Sequence, residues 1–467
     1  MDCVKDRSMS HLLSLRVPAI VVLAVSIFSA QSPGRAQGGR LHHWVGTWAT
    51  VPVARCPGRP AGQGPQGKAF GPCDSQGQSG QAAPAAASQN RPAPPAQAPL
   101  PILNNQTMRQ IARTSIGGDR VRVVLTNVYG TAPLKIGAAH VGLREKDAAI
   151  KAGSGRALTF SGNPAITIPP GSVMVSDPVA LAVPPLAELA IDVYLPGDTA
   201  ETSSPITVHA GTGSLQTNYI SPSGNHAGAP TMPVKETTLA WFFLARVEVS
   251  APPEVGAIVA LGDSITDGSQ STANTNNRWP DHLARRLAAQ NIKMGVLNAG
   301  FSGNRILEDG TGVSALARFD RDVLAQTGVT HVIVLEGIND IGMARDNTLP
   351  SAADIIAGHR QLIERAHAQG LRIYGATLTP FEGAFYWSPE REAKRKAVNE
   401  WIRTGKAYDG VIDFEAAVRD PNNPTKVLPR FDPGDHLHPN DAGYEALANA
   451  INVDLFRAAR DRTSTRQ

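Results

Sequence analysis

Apolar and polar positions change rhythm twice along the chain. Between residues 106 and 250, short apolar runs are punctuated at close intervals by proline and glycine. Val121–Leu125, Ala165–Ile168, Ser172–Val175, Ala190–Leu195, Ile206–His209 and Leu239–Val249 read as strands, separated by Pro169-Pro170-Gly171, Pro184-Pro185 and Pro196-Gly197. Many short strands spaced this way predict an all-β region of sandwich or jelly-roll type. Trp44–Val53 reads as a further strand ahead of it. Past Pro252-Pro253 the pattern becomes strand, helix, strand. Ala257–Leu261, Gly295–Leu297, His331–Leu335, Arg372–Ala376 and Val411–Phe414 are the predicted strands. Trp279–Gln290, Val313–Gln326, Ala352–Gln369, Pro389–Lys406 and Asp441–Arg457 are the predicted helices. Near-continuous apolar strands alternating with helices predict a parallel sheet covered on both faces, with its site at the carboxyl ends of the strands.

Three segments lie outside this rhythm. Lys5, Arg7 and Arg16 precede the uncharged run Val17–Ala30, which is shorter than the ~20 residues a membrane span needs but suits a signal peptide. Gly34-Arg35-Ala36 sets the expected cleavage after residue 36, leaving no stable membrane span and a secreted or periplasmic chain. Residues 54–100, within an N-terminal segment 37–105, are dominated by Pro, Gly, Ala and Gln and read as a flexible insert. The expected organisation is therefore 1–36 signal, 37–105 N-terminal segment, 106–250 β region and 254–460 α/β region.

Composition narrows the function. Hydrophobic residues make up 42% of the 467-residue chain, enough for a buried core, and the net charge is +4 without a dense Lys/Arg stripe. Nucleic-acid binding is thereby disfavoured. Cys3 leaves with the signal, and Cys56 and Cys73 remain, free to pair in an oxidising compartment. Their spacing lacks a metal-ligand pattern, so no metal site is expected.

The chemistry falls at strand ends. The first α/β strand runs into Gly262-Asp263-Ser264-Ile265-Thr266-Asp267-Gly268, where a serine can be held exposed but needs a base to become a nucleophile. The second ends in Asn298-Ala299-Gly300-Phe301-Ser302-Gly303-Asn304-Arg305, where either glycine can turn a backbone N–H toward an oxyanion. The third ends in Gly337-Ile338-Asn339-Asp340, whose Asn339 amide can serve the same oxyanion. Near the C-terminus stands Asp435-His436-Leu437-His438-Pro439-Asn440. An Asp three residues before a His can orient the imidazole and stabilise its cation, which favours His438 over His436 as the base. Asp267, Asp340 and Arg305 read as supporting residues.

Taken in this order, Ser, Gly, Asn and Asp-x-x-His resemble the SGNH/GDSL hydrolases over residues 258–457. The resemblance implies a flavodoxin-like three-layer αβα domain and acyl transfer without a cofactor. It also implies Ser264 as nucleophile, His438 as base, Asp435 as its orienting carboxylate, and an oxyanion hole of Ser264, Gly303 and Asn339. Gly303 is preferred to Gly300 because it matches the second family block, five residues after Asn298. The stretch Trp44-Val45-Gly46-Thr47-Trp48-Ala49 resembles the N-terminal part of larger secreted members, some of which accompany xylan- and pectin-degrading systems. A small-molecule or polysaccharide ester is the expected substrate, with short O-acetyl groups of carbohydrates favoured. A lipolytic or aryl esterase and a non-catalytic carbohydrate-binding protein are the alternatives. Trp241-Phe242-Phe243 lies in an apolar strand and is expected in the core, so the β region is expected to shape the cleft.

Overall fold

The structure, a computed structural model, describes residues 43–56, 100–202, 205–213, 215–343 and 350–457. The signal segment 1–36, Cys73 and residues 57–99 of the insert lie outside the described residues. Cys56 is disulfide-bonded.

The C-terminal region is built on a parallel sheet. Its strands are β1 (Gly256–Gly262), β2 (Met294–Gly300), β3 (Val329–Leu335), β4 (Arg372–Ala376) and β5 (Gly410–Ile412), in spatial order 2-1-3-4-5. Every residue of β1 is buried, as a central strand covered on both faces requires. The connecting helices are α1 (Ser264–Asp267), α2 (Trp279–Ala289), α3 (Ala315–Phe319), α4 (Ile338–Gly342), α5 (Ala352–Ala368), α6 (Pro389–Thr404), α7 (Phe414–Val418) and α8 (Asp441–Asn449). Ser351 and Asp354 form a reciprocal capping box at the start of α5, and Ser388 caps α6 ahead of Pro389.

The N-terminal region is β-rich. A five-stranded antiparallel sheet joins His43–Ala49, Leu244–Ala251, Gly118–Thr126, Val179–Val183 and Val173–Val175. A six-stranded sheet has Gln106–Arg113 and Glu188–Leu195 at its centre. A smaller sheet pairs Ile206–His209 with both Val53–Arg55 and Trp241–Phe242. Trp241, Phe242 and Phe243 are all core residues, as expected.

The β-rich region closes directly over β2, an edge strand of the parallel sheet. The Val296 N–H, which would otherwise face outward from that edge, donates to Ser115 Oγ at 2.8 Å. Gly46 N–H donates to Thr327 O at 2.8 Å. A Cβ on Gly295 would stand 2.2 Å from Gly46 O, so the two backbones approach as closely as glycine allows. One apolar core runs through both regions, from Val45 and Val249 to Val259 and Leu297.

Several predicted elements differ in their bounds, and the strand over 44–53 is two strands, His43–Ala49 and Val53–Arg55. The strand over 239–249 breaks at Phe243, whose φ is 56°. The helix over 313–326 becomes α3 followed by a wider turn at Asp320–Leu324. The last strand stops at Ile412, because Asp413 accepts the Ala416 N–H and caps α7. The last helix ends at Asn449, and Asn452 then caps a separate short turn, Val453–Phe456.

Candidate active site

Ser264 is the first residue of α1, immediately past β1. Asp263 Oδ1 accepts the Ile265 N–H at 2.9 Å and fixes that turn. Gly268, at φ 108°, ends the helix one turn later. The N–H of Ser264 is thus one of the first-turn donors that an α-helix leaves without an internal partner.

The three loops around Ser264 are tied to one another. After β2, Gly303 takes a positive φ of 76°. Asn339, in the first turn of α4, donates one amide hydrogen to Asn304 O at 3.0 Å. Its amide carries two hydrogens, so one is left for another acceptor. Asp340 accepts the N–H groups of Ile306 (2.8 Å) and Leu307 (3.1 Å). The loop after β3 therefore sets the position of the loop after β2. Gly300 is still within β2, against the backbone of Asp267.

The C-terminal loop supplies the base. Asp435 Oδ1 accepts the N–H groups of Leu437 and His438, each at 3.0 Å. Its Oδ2 accepts from His438 Nδ1 at 2.7 Å. His438 Nε2 lies 2.8 Å from Ser264 Oγ. With the Nδ1 proton donated to Asp435, the Nε2 lone pair faces the serine hydroxyl. Burial would raise the Asp435 carboxyl, but the hydrogen bond and charge of His438, with the two backbone donors, hold it down at about 2. His436 instead pairs its Nδ1 with Asp432 and is half exposed.

Behind the serine lies a buried acidic group, of which the sequence marked only Asp340 as a supporting residue. Asp263, Glu336 and Asp340 are all buried. Burial, opposed by the Ile265 N–H and reinforced by Asp340 and Asp267, pushes the Asp263 carboxyl up to about 7. Burial likewise raises Asp340 to about 6. Glu336, with no hydrogen-bond partner on either oxygen, is raised well above the carboxylate range by burial and by Asp263. Arg318, also buried, bridges strand ends: it donates to Gly262 O, Ala299 O and Asn304 Oδ1. Glu336 directly follows a run that reads as an ordinary strand and Arg318 sits in one that reads as an ordinary helix, so no local signal marked them. Arg305 pairs with Glu308, and Asp267 binds Ser302 and His209.

Among the described residues no cluster of His, Cys, Asp and Glu could hold a metal ion, and no helix is long and apolar enough to cross a membrane. The four loops thus bring together Ser264, His438 and Asp435 in direct contact, with Gly303 and Asn339 on adjoining loops joined through Asn304.

Among solved structures the chain is similar to a lipase/acylhydrolase from Enterococcus faecalis, at 23% identity over 42% of this chain and 93% of that one, with a TM-score of 0.34. It is also similar to a GDSL-like lipase from Bacteroides thetaiotaomicron (19% identity, 42% and 85% covered, TM-score 0.32). A third is a variant of an acetyl-xylooligosaccharide esterase from Geobacillus (23% identity, 42% and 91% covered, TM-score 0.33). No curated protein matches the chain. The profile of the GDSL-like lipase/acylhydrolase family matches residues 260–446, the span that holds Ser264, Gly303, Asn339, Asp435 and His438. The α/β region of this chain accordingly belongs to the GDSL-like lipase/acylhydrolase family, whose members are ester hydrolases.

Proposed function

We propose that the protein is an exported serine esterase that cleaves short-chain esters, O-acetyl groups on carbohydrates foremost. The reading rests above all on the continuous chain Asp435–His438–Ser264, with contacts of 2.7 and 2.8 Å. His438 Nε2 takes the hydroxyl proton as Ser264 Oγ attacks the ester carbonyl. The Ser264 and Gly303 N–H groups and the second Asn339 amide hydrogen receive the oxyanion. His438 then protonates the leaving alcohol, and water repeats the cycle on the acyl-enzyme. Asp435, kept ionised by three hydrogen bonds, from His438 Nδ1 and the Leu437 and His438 N–H groups, and by the His438 charge, stabilises the imidazolium in both halves.

Two observations bear on the substrate. Phe385, 64% exposed, stands two residues from Gly383, which abuts the His436 ring beside the base. An exposed aromatic face there suits a sugar ring. Met343, 40% exposed directly after α4, would suit a longer acyl chain and supports a lipolytic second reading. Export is supported by the signal-like segment 1–36 and by the disulfide at Cys56. We read the two larger antiparallel sheets as halves of a sandwich, because Val121 and Val123 of one share a core with Ile191 and Val193 of the other.

The test is hydrolysis of p-nitrophenyl esters from acetate to long chains by the mature protein and by Ser264→Ala. Loss of activity in the variant and a steep fall beyond acetate are expected. A flat chain-length profile would favour the lipolytic reading, and equal activity of the two proteins would sink the mechanism.

A further inference from the structure

The peptide that carries the Gly303 N–H joins Ser302 to Gly303, and it is held from both sides. On the Ser302 side, Asp267 Oδ2 accepts the Ser302 N–H (3.2 Å) and hydroxyl (2.7 Å). The other Asp267 oxygen, Oδ1, meets His209 Nε2 at 3.2 Å. His209 is anchored in turn: its Nδ1 accepts the Val51 N–H at 3.3 Å, which leaves the ring proton on Nε2 for Asp267, and its ring lies against Trp241 and Phe301. On the carbonyl side, Ser302 O accepts from Thr311 Oγ1 at 2.7 Å. Thr311 O accepts from Arg55 Nη2 at 3.0 Å. A peptide is planar and trans, so fixing its C=O fixes the direction of its N–H.

His209 and Arg55 both belong to the small sheet of the β-rich region, on Ile206–His209 and Val53–Arg55. The loop after His209 is pressed onto the same place. Thr212 Oγ1 lies 2.9 Å from Ser302 Oγ and also bonds Ser269. A Cβ on Gly211 would come within 2.8 Å of the Asp267 carboxylate. We propose that His209 is a positioning residue of the reaction, which with Arg55 makes the β-rich region part of the catalytic centre. Acting through Asp267 and Ser302, it aims the Gly303 N–H at the developing oxyanion. The inference rests on the reading of Gly303 as an oxyanion donor. An oxyanion donor works only if its direction is fixed before the charge appears. A loss of alignment therefore lowers kcat more than it changes substrate affinity.

The experiment compares wild type, His209→Phe, His209→Gln, Thr311→Val and Ser264→Ala on p-nitrophenyl acetate, with active sites counted by titration. His209→Phe keeps a ring for Trp241 and Phe301 but has no donor. His209→Gln keeps an N–H near the Nε2 position. The expected result is a fall in kcat of roughly 10- to 100-fold in His209→Phe and in Thr311→Val, with KM within about 2-fold. An alkyl boronic acid, which forms a tetrahedral adduct, should bind those variants more weakly by a similar factor. His209→Gln should recover most of the lost kcat. A role in stability alone would lower the titrated fraction and leave kcat per site intact. An inert Ser264→Ala beside unchanged kcat in His209→Phe and Thr311→Val overturns the inference alone. Full activity of Ser264→Ala overturns the esterase mechanism and the inference with it. Should His209→Phe not fold, Thr311→Val, on a half-buried loop, decides by the same readouts.

Discussion

His438 reaches Ser264 across 174 residues of chain, Nε2 to Oγ at 2.8 Å, while its own orienting carboxylate is three residues away. The base and its orienter thus share one loop, and the nucleophile comes from the other end of the region. Asp435→Asn should leave that loop nearly in place but no longer stabilise the imidazolium, and it can impose the wrong tautomer. A fall in kcat on the order of 10⁴ is expected. His436→Ala, two residues from the base, should stay within a few-fold of wild type, because His436 is turned to Asp432. Steady-state kinetics on p-nitrophenyl acetate check both, and a larger loss in His436→Ala than in Asp435→Asn would reassign the base.

Asn339 has a double task. One amide hydrogen holds Asn304 O, and the other is available to the oxyanion. Asn339→Ala removes both and should lower kcat by ~10²–10³ with little change in KM. Asn339→Asp keeps the size but replaces the amide donors with acceptor oxygens, so it should be no better than alanine. Activity in Asn339→Asp close to wild type would show that the side chain serves no oxyanion.

The parts of this site visible in the sequence were those with local signatures. Gly-Asp-Ser after an apolar run and Asp-x-x-His before a helix each state their geometry within a few residues. The parallel strands were legible because burial on both faces leaves no polar alternation to misread. What stayed hidden depends on long-range contact. His209 is one polar residue in a short strand, and its partner Asp267 lies 58 residues on. A strand end and a helix end were misjudged where a side chain intervened: Asp413 and Asn452 begin new turns that apolar periodicity alone does not show. Phe243 breaks a strand that reads as continuous, because φ is invisible in the hydrophobic pattern.

Arg318 ties together three structures that must stay in register. Its guanidinium donates to Gly262 O before the serine loop, to Ala299 O near the end of β2, and to Asn304 Oδ1 in the Gly303 loop. Arg318→Met fills similar space but takes the guanidinium donor from the buried Ala299 O and Asn304 Oδ1, while Gly262 O keeps the Phe301 N–H. Each such group costs about 1–3 kcal/mol, so a loss of stability on the order of 3 kcal/mol is expected. Urea unfolding checks it, and a change under about 1 kcal/mol would mean that water or a shifted side chain replaces the guanidinium.

Asp263 makes stability depend on pH in a direction opposite to that of the triad carboxylate. Its carboxyl titrates at about 7 in the folded protein against an ordinary 3.8. Between those values the unfolded chain has lost the proton and the folded one keeps it, so stability falls as pH rises from about 4 to 7. Asp435, at about 2, contributes stability that is complete above its ordinary 3.8 and is lost as pH falls toward 2, outside that window. Asp340, raised to about 6, acts in the same sense as Asp263 and leaves a residual slope. Asp263→Asn keeps an oxygen for the Ile265 N–H and carries no titrating proton. The variant should therefore show a shallower decline, by up to about 1.4 kcal/mol per pH unit, and should gain on wild type as pH approaches 7.5. Urea unfolding at pH 4.5, 5.5, 6.5 and 7.5 measures both slopes. Parallel curves for the two proteins would mean that Asp263 ionises in the ordinary range despite its burial beside Glu336.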